Sequence, residues 1–176
     1  DGGTSRAGIM VENVVADVAS TLSPNSDVDL SSALAIVQNW TEMCPILETA
    51  ANNIANIETI PLAETTLTAP LLYPSNIFCA AANYQDHFKE MSGKEADKST
   101  FNPYFFAKAP HQAVIGTGET ILRPKVTEMM DWEVEIAVVI GKSGRNISLA
   151  DAMDHVAGFT ILNDLSARNF LKQIGR

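Results

Sequence analysis

The sequence predicts an α+β protein: a small α+β unit at the N-terminal side, followed by a strand-rich domain of sheet or barrel-like form. Three observations carry this. Residues 31–43, SSALAIVQNWTEM, place apolar side chains at helical spacings of three and four. Beyond residue 70, short apolar runs alternate with glycine turns and few helical patterns intervene. Between the two parts, PLAETTLTAPLLYPSN at 61–76 is rich in Pro and Thr, has neither periodicity, and reads as a linker. This division gives residues 1–68 as a small N-terminal domain with its linker and 69–176 as the second domain.

The elements follow in order. AGIMVENVVADVA at 7–19 reads as a short strand pair, and Asp29 or Ser31 is placed to cap the helix that follows. NIFCAAANY at 76–84 reads as a buried strand and YQDHFKEM at 84–91 as one or two helical turns. MSGKEADKSTFNP at 91–103 is a polar, charged loop of the kind that often moves. FFAKA, AVIGTG and ETILRP, between 105 and 124, read as short strands with glycine turns. DWEVEIAVVIG at 131–141 is a strand, Ser148 and Asp151 form a capping pair in SLADAMDHV, and GFTILND is a strand ending at Asp164.

Composition narrows the function. The chain has 176 residues, is 46% hydrophobic and carries a net charge of -9, with twelve scattered Lys and Arg. Scattered cations in an acidic chain argue against a nucleic-acid or anionic-membrane surface. Cys44 and Cys79 lie far apart with no CxxC spacing, so neither a disulfide framework nor a zinc site is indicated and a reducing compartment, cytosol or mitochondrion, fits. No apolar run reaches membrane-spanning length.

Candidate chemistry concentrates in the second domain. Side chains alternate along a strand, so Glu133 and Glu135 share one face, about 7 Å apart, while Trp132, Val134, Ile136, Val138 and Ile140 share the other. If that strand is buried on both sides, the carboxylates need a cation, because an unpaired buried carboxylate costs several kcal/mol. Asp164, ending a later strand, offers a third oxygen ligand. Three carboxylates without Cys or His nearby select Mg²⁺, Mn²⁺ or Ca²⁺ over zinc. Spacing alone also leaves open a solvated sheet face with paired lysines.

His87 and Glu90 sit three residues apart, on one side of a helical turn, where the carboxylate raises the imidazole's proton affinity and fixes its tautomer. Such a pair suits a general base; a solvated helix with Glu90 paired to Lys89 or Lys94 is the alternative. His111 and His155 lack such neighbours and read as structural or surface residues. Lys108, Arg123 and Arg168 are the cations available for a substrate carboxylate, and Arg168 lies about one helical turn beyond Asp164.

Taken together, PSNIFCAAANYQDHFKEM, FFAKAPHQAVIGTGETI, DWEVEIAVVIGKSGRNIS and AGFTILNDLSARN resemble the fumarylacetoacetate hydrolase family, in unbroken order over about residues 68 to 170. The resemblance implies a strand-rich mixed β-roll, of which this chain holds the N-terminal part, usually as a homodimer. It implies Glu133, Glu135 and Asp164 as ligands of Mg²⁺, with Mn²⁺ or Ca²⁺ as alternatives, and His87 with Glu90 as a water-activating dyad on a lid. Tyr84, Lys108 and Arg168 are then substrate contacts. The implied activity is carbon-carbon bond hydrolysis of acylpyruvates or related β-diketo acids through a metal-held enolate. Decarboxylation of an oxaloacetate-type keto acid is the alternative, and a non-catalytic metal-binding subunit the further one. Ala81, Asn169 and Leu171 depart from residues usual in the family and bear on substrate contacts. The family's catalytic domain runs roughly a further hundred residues, including a substrate-binding lysine.

Overall fold

The computed structural model describes residues 4–22, 27–81, 83–93, 95 and 104–170. The chain divides into two compact units, residues 1–70 with 116–176, and residues 71–115.

The first unit begins with the expected strand pair. β1 (Gly8–Val11) and β2 (Val14–Asp17) pair antiparallel, with Ile9 opposite Ala16, and β2 pairs in turn with β3 (Ile60–Pro61). Residues after Asp17 leave the strand for the single turn α1 (Val18–Thr21), because the Asp17 carboxylate accepts from the Ser20 N–H at 2.8 Å and caps it. The single helix expected over 31–43 is two: α2 (Ala33–Gln38) and α3 (Trp40–Asn52). Asn39 separates them at φ -111°, ψ 31°, with its side-chain amide donating back to the Ala35 carbonyl at 2.9 Å. The cap of α2 is neither Asp29 nor Ser31 but Ser32, whose hydroxyl accepts from Ala35 N–H at 3.2 Å. Asp29 instead accepts from the backbone and hydroxyl of Ser31, a local turn that competes with capping. Apolar faces of these elements meet in a core of Ala7, Val18, Leu30, Ile36 and Met43.

The same unit contains two antiparallel ribbons. β6 (Met130–Asp131) pairs with β9 (Ser166–Ala167), and β7 (Val134–Ile140) pairs with β8 (Val156–Asn163), Ile136 standing opposite Ile161. The strand expected over 131–141 is therefore interrupted at Trp132 and Glu133, where the chain passes from one ribbon to the other. Alternation along β7 is exact, but the apolar side does not face a protein interior. Val134, Ile136, Val138 and Ile140 are all half or more exposed, as are Phe159 and Ile161 opposite them, while Glu135, Ala137 and Val139 lie on the half-buried side. An apolar face this continuous is the kind that proteins bury against further polypeptide.

AVIGTG and ETILRP are not strands. Local partners take their backbone groups instead: the Gly116 N–H donates to the Glu119 carboxylate at 2.8 Å, the Gly116 carbonyl accepts from the Glu119 N–H, and the Thr127 N–H turns back to Pro124. Ser148 and Asp151 make the expected reciprocal contacts, hydroxyl to carboxylate at 2.6 Å and N–H to hydroxyl at 3.2 Å, but the helix they introduce is one short turn at Ala152–His155.

In the second unit, β4 (Ile77–Ala81) pairs antiparallel with β5 (Tyr104–Lys108), Ile77 opposite Lys108. β4 is half-buried rather than buried, with Phe78 67% exposed. α4 (Gln85–Ser92) follows β4 and closes at Gly93, which takes φ 72° and donates its N–H to the Lys89 carbonyl. α5 (Pro110–Ala113) is one turn, on which the His111 ring meets Tyr73 edge-on at 5.1 Å. Most of the loop at 91–103, expected to move, lies outside the described residues.

Candidate functional site

The ribbon geometry sets three acidic residues of the first unit, Glu133, Glu135 and Asp164, on one side of the β7–β8 pair. Glu133 extends the alternation of β7 by one residue, so it lies on the same side as Glu135. The Asp164 N–H donates to the Glu133 carbonyl at 2.8 Å, which continues the β7–β8 ladder past its last pair, Val134 with Asn163. Directly opposed residues of an antiparallel pair share a face, so the backbone sets Glu133, Glu135 and Asp164 on one side of the ribbon. The Asn163 side-chain oxygen accepts from the Glu133 N–H at 3.3 Å and braces the junction. Asp164 is buried, at 4% exposure.

Arg168 lies at the centre of the charge arrangement. Its Nε donates to Asp131 Oδ2 at 2.8 Å and its Nη2 donates to Glu133 Oε1, with the Arg168 and Glu133 side chains 19% and 18% exposed. No helical turn sets this relation, as the spacing from Asp164 suggested. The intervening residues form β9, and its pairing with β6 puts Arg168 beside Asp131; the Arg168 N–H extends that pairing to the Met129 carbonyl at 2.9 Å. Asp131 is fixed as well, because its Oδ1 accepts from the Trp132 N–H at 3.0 Å.

Beneath this lies the fully buried Thr127. Its hydroxyl donates to the Asn169 side-chain oxygen and accepts from the Met129 N–H at 3.2 Å, and its carbonyl accepts from Arg123 at 3.1 Å. Arg123, a sequence candidate for substrate binding, thus serves the backbone. Asn169 has a structural partner in Thr127.

The donor set suits a hard dication in kind, being three carboxylates with no thiol or imidazole among them, and strand placement puts all three on one side. As the side chains stand, Glu133 is turned to Arg168. Among the described residues no three acidic, histidine or cysteine side chains gather closely enough to enclose an ion. A cation at these residues therefore requires the three side chains to draw closer than they stand, and Glu133 Oε1 already carries the Arg168 guanidinium.

The second unit holds the other candidates. Tyr84 is the N-cap residue of α4 and 42% exposed; Glu90 is exposed on the same helix. Residues 87 and 90 are both within α4, as expected, while the His87 side chain lies outside the described residues. Lys89 pairs with Glu95 at 3.1 Å. Lys108 ends β5, half-buried. His155, in the first unit, contacts the Lys142 carbonyl through Nδ1 at 2.8 Å.

Sequence reasoning overlooked Asp131. The signal was present: Asp131, Glu133 and Glu135 recur at a spacing of two, the period of one strand face.

Comparison with known proteins finds relatives in sequence and in fold. Residues 76–175 match the family model described as fumarylacetoacetate (FAA) hydrolase, C-terminal. A mitochondrial oxaloacetate tautomerase of Homo sapiens is 39% identical over 117 residues, covering 66% of this chain and 36% of its own length. An oxaloacetate tautomerase of Bacillus subtilis is 48% identical over 114 residues, 64% of this chain and 37% of its own. The crystal structure of a Sphingobium maleylpyruvate hydrolase in complex with manganese(II) and pyruvate superposes with a TM-score of 0.69 at 27% identity, over 96% of this chain and 57% of the other. The chain thus spans little more than a third of these curated relatives and somewhat over half of that solved structure.

Proposed function

Because this chain belongs to the fumarylacetoacetate hydrolase family, we propose that its residues form part of an enzyme that enolises a short α-keto acid beside a hard divalent cation, with oxaloacetate as substrate. The observation that carries the reading is the cross-strand placement of Asp164 against Glu133, with Glu135 two residues along the same face. The names of the curated relatives supply the substrate.

In this reading Glu133, Glu135 and Asp164 hold Mg²⁺ or Mn²⁺. The bound ion supplies positive charge that polarises the keto oxygen and makes the neighbouring C–H more acidic. Arg168 and Lys108 hold the substrate carboxylates, Arg168 through its two-pronged guanidinium. Tyr84 adds a hydroxyl contact. His87, with its tautomer set by Glu90, takes the proton from the methylene carbon and returns it to the opposite position of the keto–enol pair.

A second reading keeps the same groups and lets His87 deprotonate water instead, so that water attacks the distal carbonyl of an acylpyruvate and the carbon-carbon bond breaks. The manganese- and pyruvate-bound maleylpyruvate hydrolase supports it. The proposal includes a homodimer, for which the exposed apolar face of β7 and β8 offers contact area. Sedimentation equilibrium giving a monomer at micromolar concentration removes that part.

The test follows the ultraviolet absorbance of enol-oxaloacetate in the presence of protein with Mg²⁺, Mn²⁺ or chelator, alongside carbon dioxide release and a panel of acylpyruvates. Faster ketonisation that chelator abolishes supports tautomerisation. Acylpyruvate cleavage without ketonisation moves the assignment to the second reading, carbon dioxide release moves it to a decarboxylase, and inertness towards every substrate removes the enzymatic proposal.

A further inference from the structure

The Glu133 carboxylate that the cation would use is already held by Arg168, and the two nitrogens of Arg168 engaged here are different ones: Nε on Asp131, Nη2 on Glu133. Resting on the cation reading above, we propose that Arg168 is a built-in counter-cation of the metal-free site, displaced from Glu133 when a dication binds and kept in place by Asp131.

Glu133 is largely buried, and a carboxylate there needs an opposite charge whether or not metal is present. Arg168 supplies that opposite charge through its guanidinium contact with Glu133. A dication offers twice the charge and direct coordination, and so takes Glu133 from it.

The tether then matters. Asp131 is held by the Trp132 N–H, and the Arg168 backbone is held on Met129, so losing the Nη2 contact leaves Nε bound at 2.8 Å. The released edge of the guanidinium is then available to an anion. Cation binding thereby prepares the carboxylate site, which gives an order: metal first, keto acid second.

The experiment titrates Mn²⁺ into metal-free protein without substrate, by calorimetry, for wild type, Arg168→Gln and Arg168→Lys, with thermal melts of each. With its competitor removed, Arg168→Gln is expected to bind Mn²⁺ about tenfold more tightly, since a charged hydrogen bond no longer has to be given up. Its metal-free form is expected to melt lower than wild type and to gain more from Mn²⁺. Should the Gln variant not fold, Arg168→Lys serves, because an ammonium does not span both carboxylates as the fork does; a severalfold gain is expected. Unchanged or weaker Mn²⁺ binding in the variant, with normal binding in wild type, overturns this inference and leaves the cation reading standing. Absence of Mn²⁺ binding in wild type overturns both.

Discussion

The Asp164 backbone N–H donates to the Glu133 carbonyl at 2.8 Å, so two acidic residues well separated in sequence stand opposite one another across the end of one ribbon. Glu135, opposite Leu162, stands two residues along the same side. That arrangement turns three acidic letters into a candidate ligand set, and it yields the first of four expectations.

Glu135→Gln is nearly isosteric and sits on a half-buried strand position, so the fold should persist. Removing even an outer-shell partner of a metal costs ten- to a hundredfold in affinity, so the loss of a ligand should cost about a hundredfold or more. The expected outcome is unchanged circular dichroism with Mn²⁺ binding lost from calorimetry and turnover lost with it. Retained turnover takes Glu135 out of the ligand set.

His87→Ala separates the two readings of the chemistry. Loss of a general base typically lowers a rate by about 10²–10⁴-fold. If water activation is the task of His87, acylpyruvate hydrolysis falls by that amount while oxaloacetate ketonisation persists; if it shuttles the substrate proton, ketonisation falls too. Parallel progress curves on both substrates decide the matter.

Asp17 offers a test of the N-terminal unit. Its carboxylate takes the Arg6 guanidinium on both oxygens and caps α1 through the Ser20 N–H. The Arg6 hydrogen bond, aided by Ser20, holds the Asp17 carboxyl well below the usual carboxylate range. A depressed folded-state value stabilises the fold above the unfolded-state pKa of about 4 and loses that contribution as pH falls below it. Asp17→Ala should therefore cost about 1 kcal/mol near neutrality, the usual worth of an N-cap. Urea midpoints of variant and wild type should draw together as the pH is lowered from 7 towards 2.

Gly141 follows β7 where the chain passes α3. A Cβ there would lie 2.7 Å from Ala157 Cβ and 2.8 Å from Trp40 Cβ, both close to their backbones and unable to swing aside. Gly141→Ala should destabilise the first unit by about 1–3 kcal/mol, the usual cost of overpacking. An unchanged melting temperature would mean that the ribbon and α3 separate without cost.

What the sequence by itself determined is local or periodic. The alternation of β7, the strand pair at 8–17, the helical turn bearing residues 87 and 90 and the Ser148–Asp151 contacts all follow from chemistry within a few residues. The order of the acidic and basic motifs sufficed to identify the family. Local signals erred where two solutions compete over a short range: Ser32 rather than Ser31 caps α2, Asn39 divides a periodic helix, and AVIGTG turns on Glu119 instead of pairing.

Tertiary structure alone decided which side of β7 faces solvent and which cation meets which carboxylate. Period two states that Trp132 and Glu133 point oppositely and is silent about which side is covered; covering needs another segment of chain, and here the apolar side is the exposed one. The Arg168 bridge depends on the pairing of β6 with β9, across a separation in which every residue adds conformational freedom that no local rule can resolve. Only the closed register of those two short strands puts a guanidinium between Asp131 and Glu133.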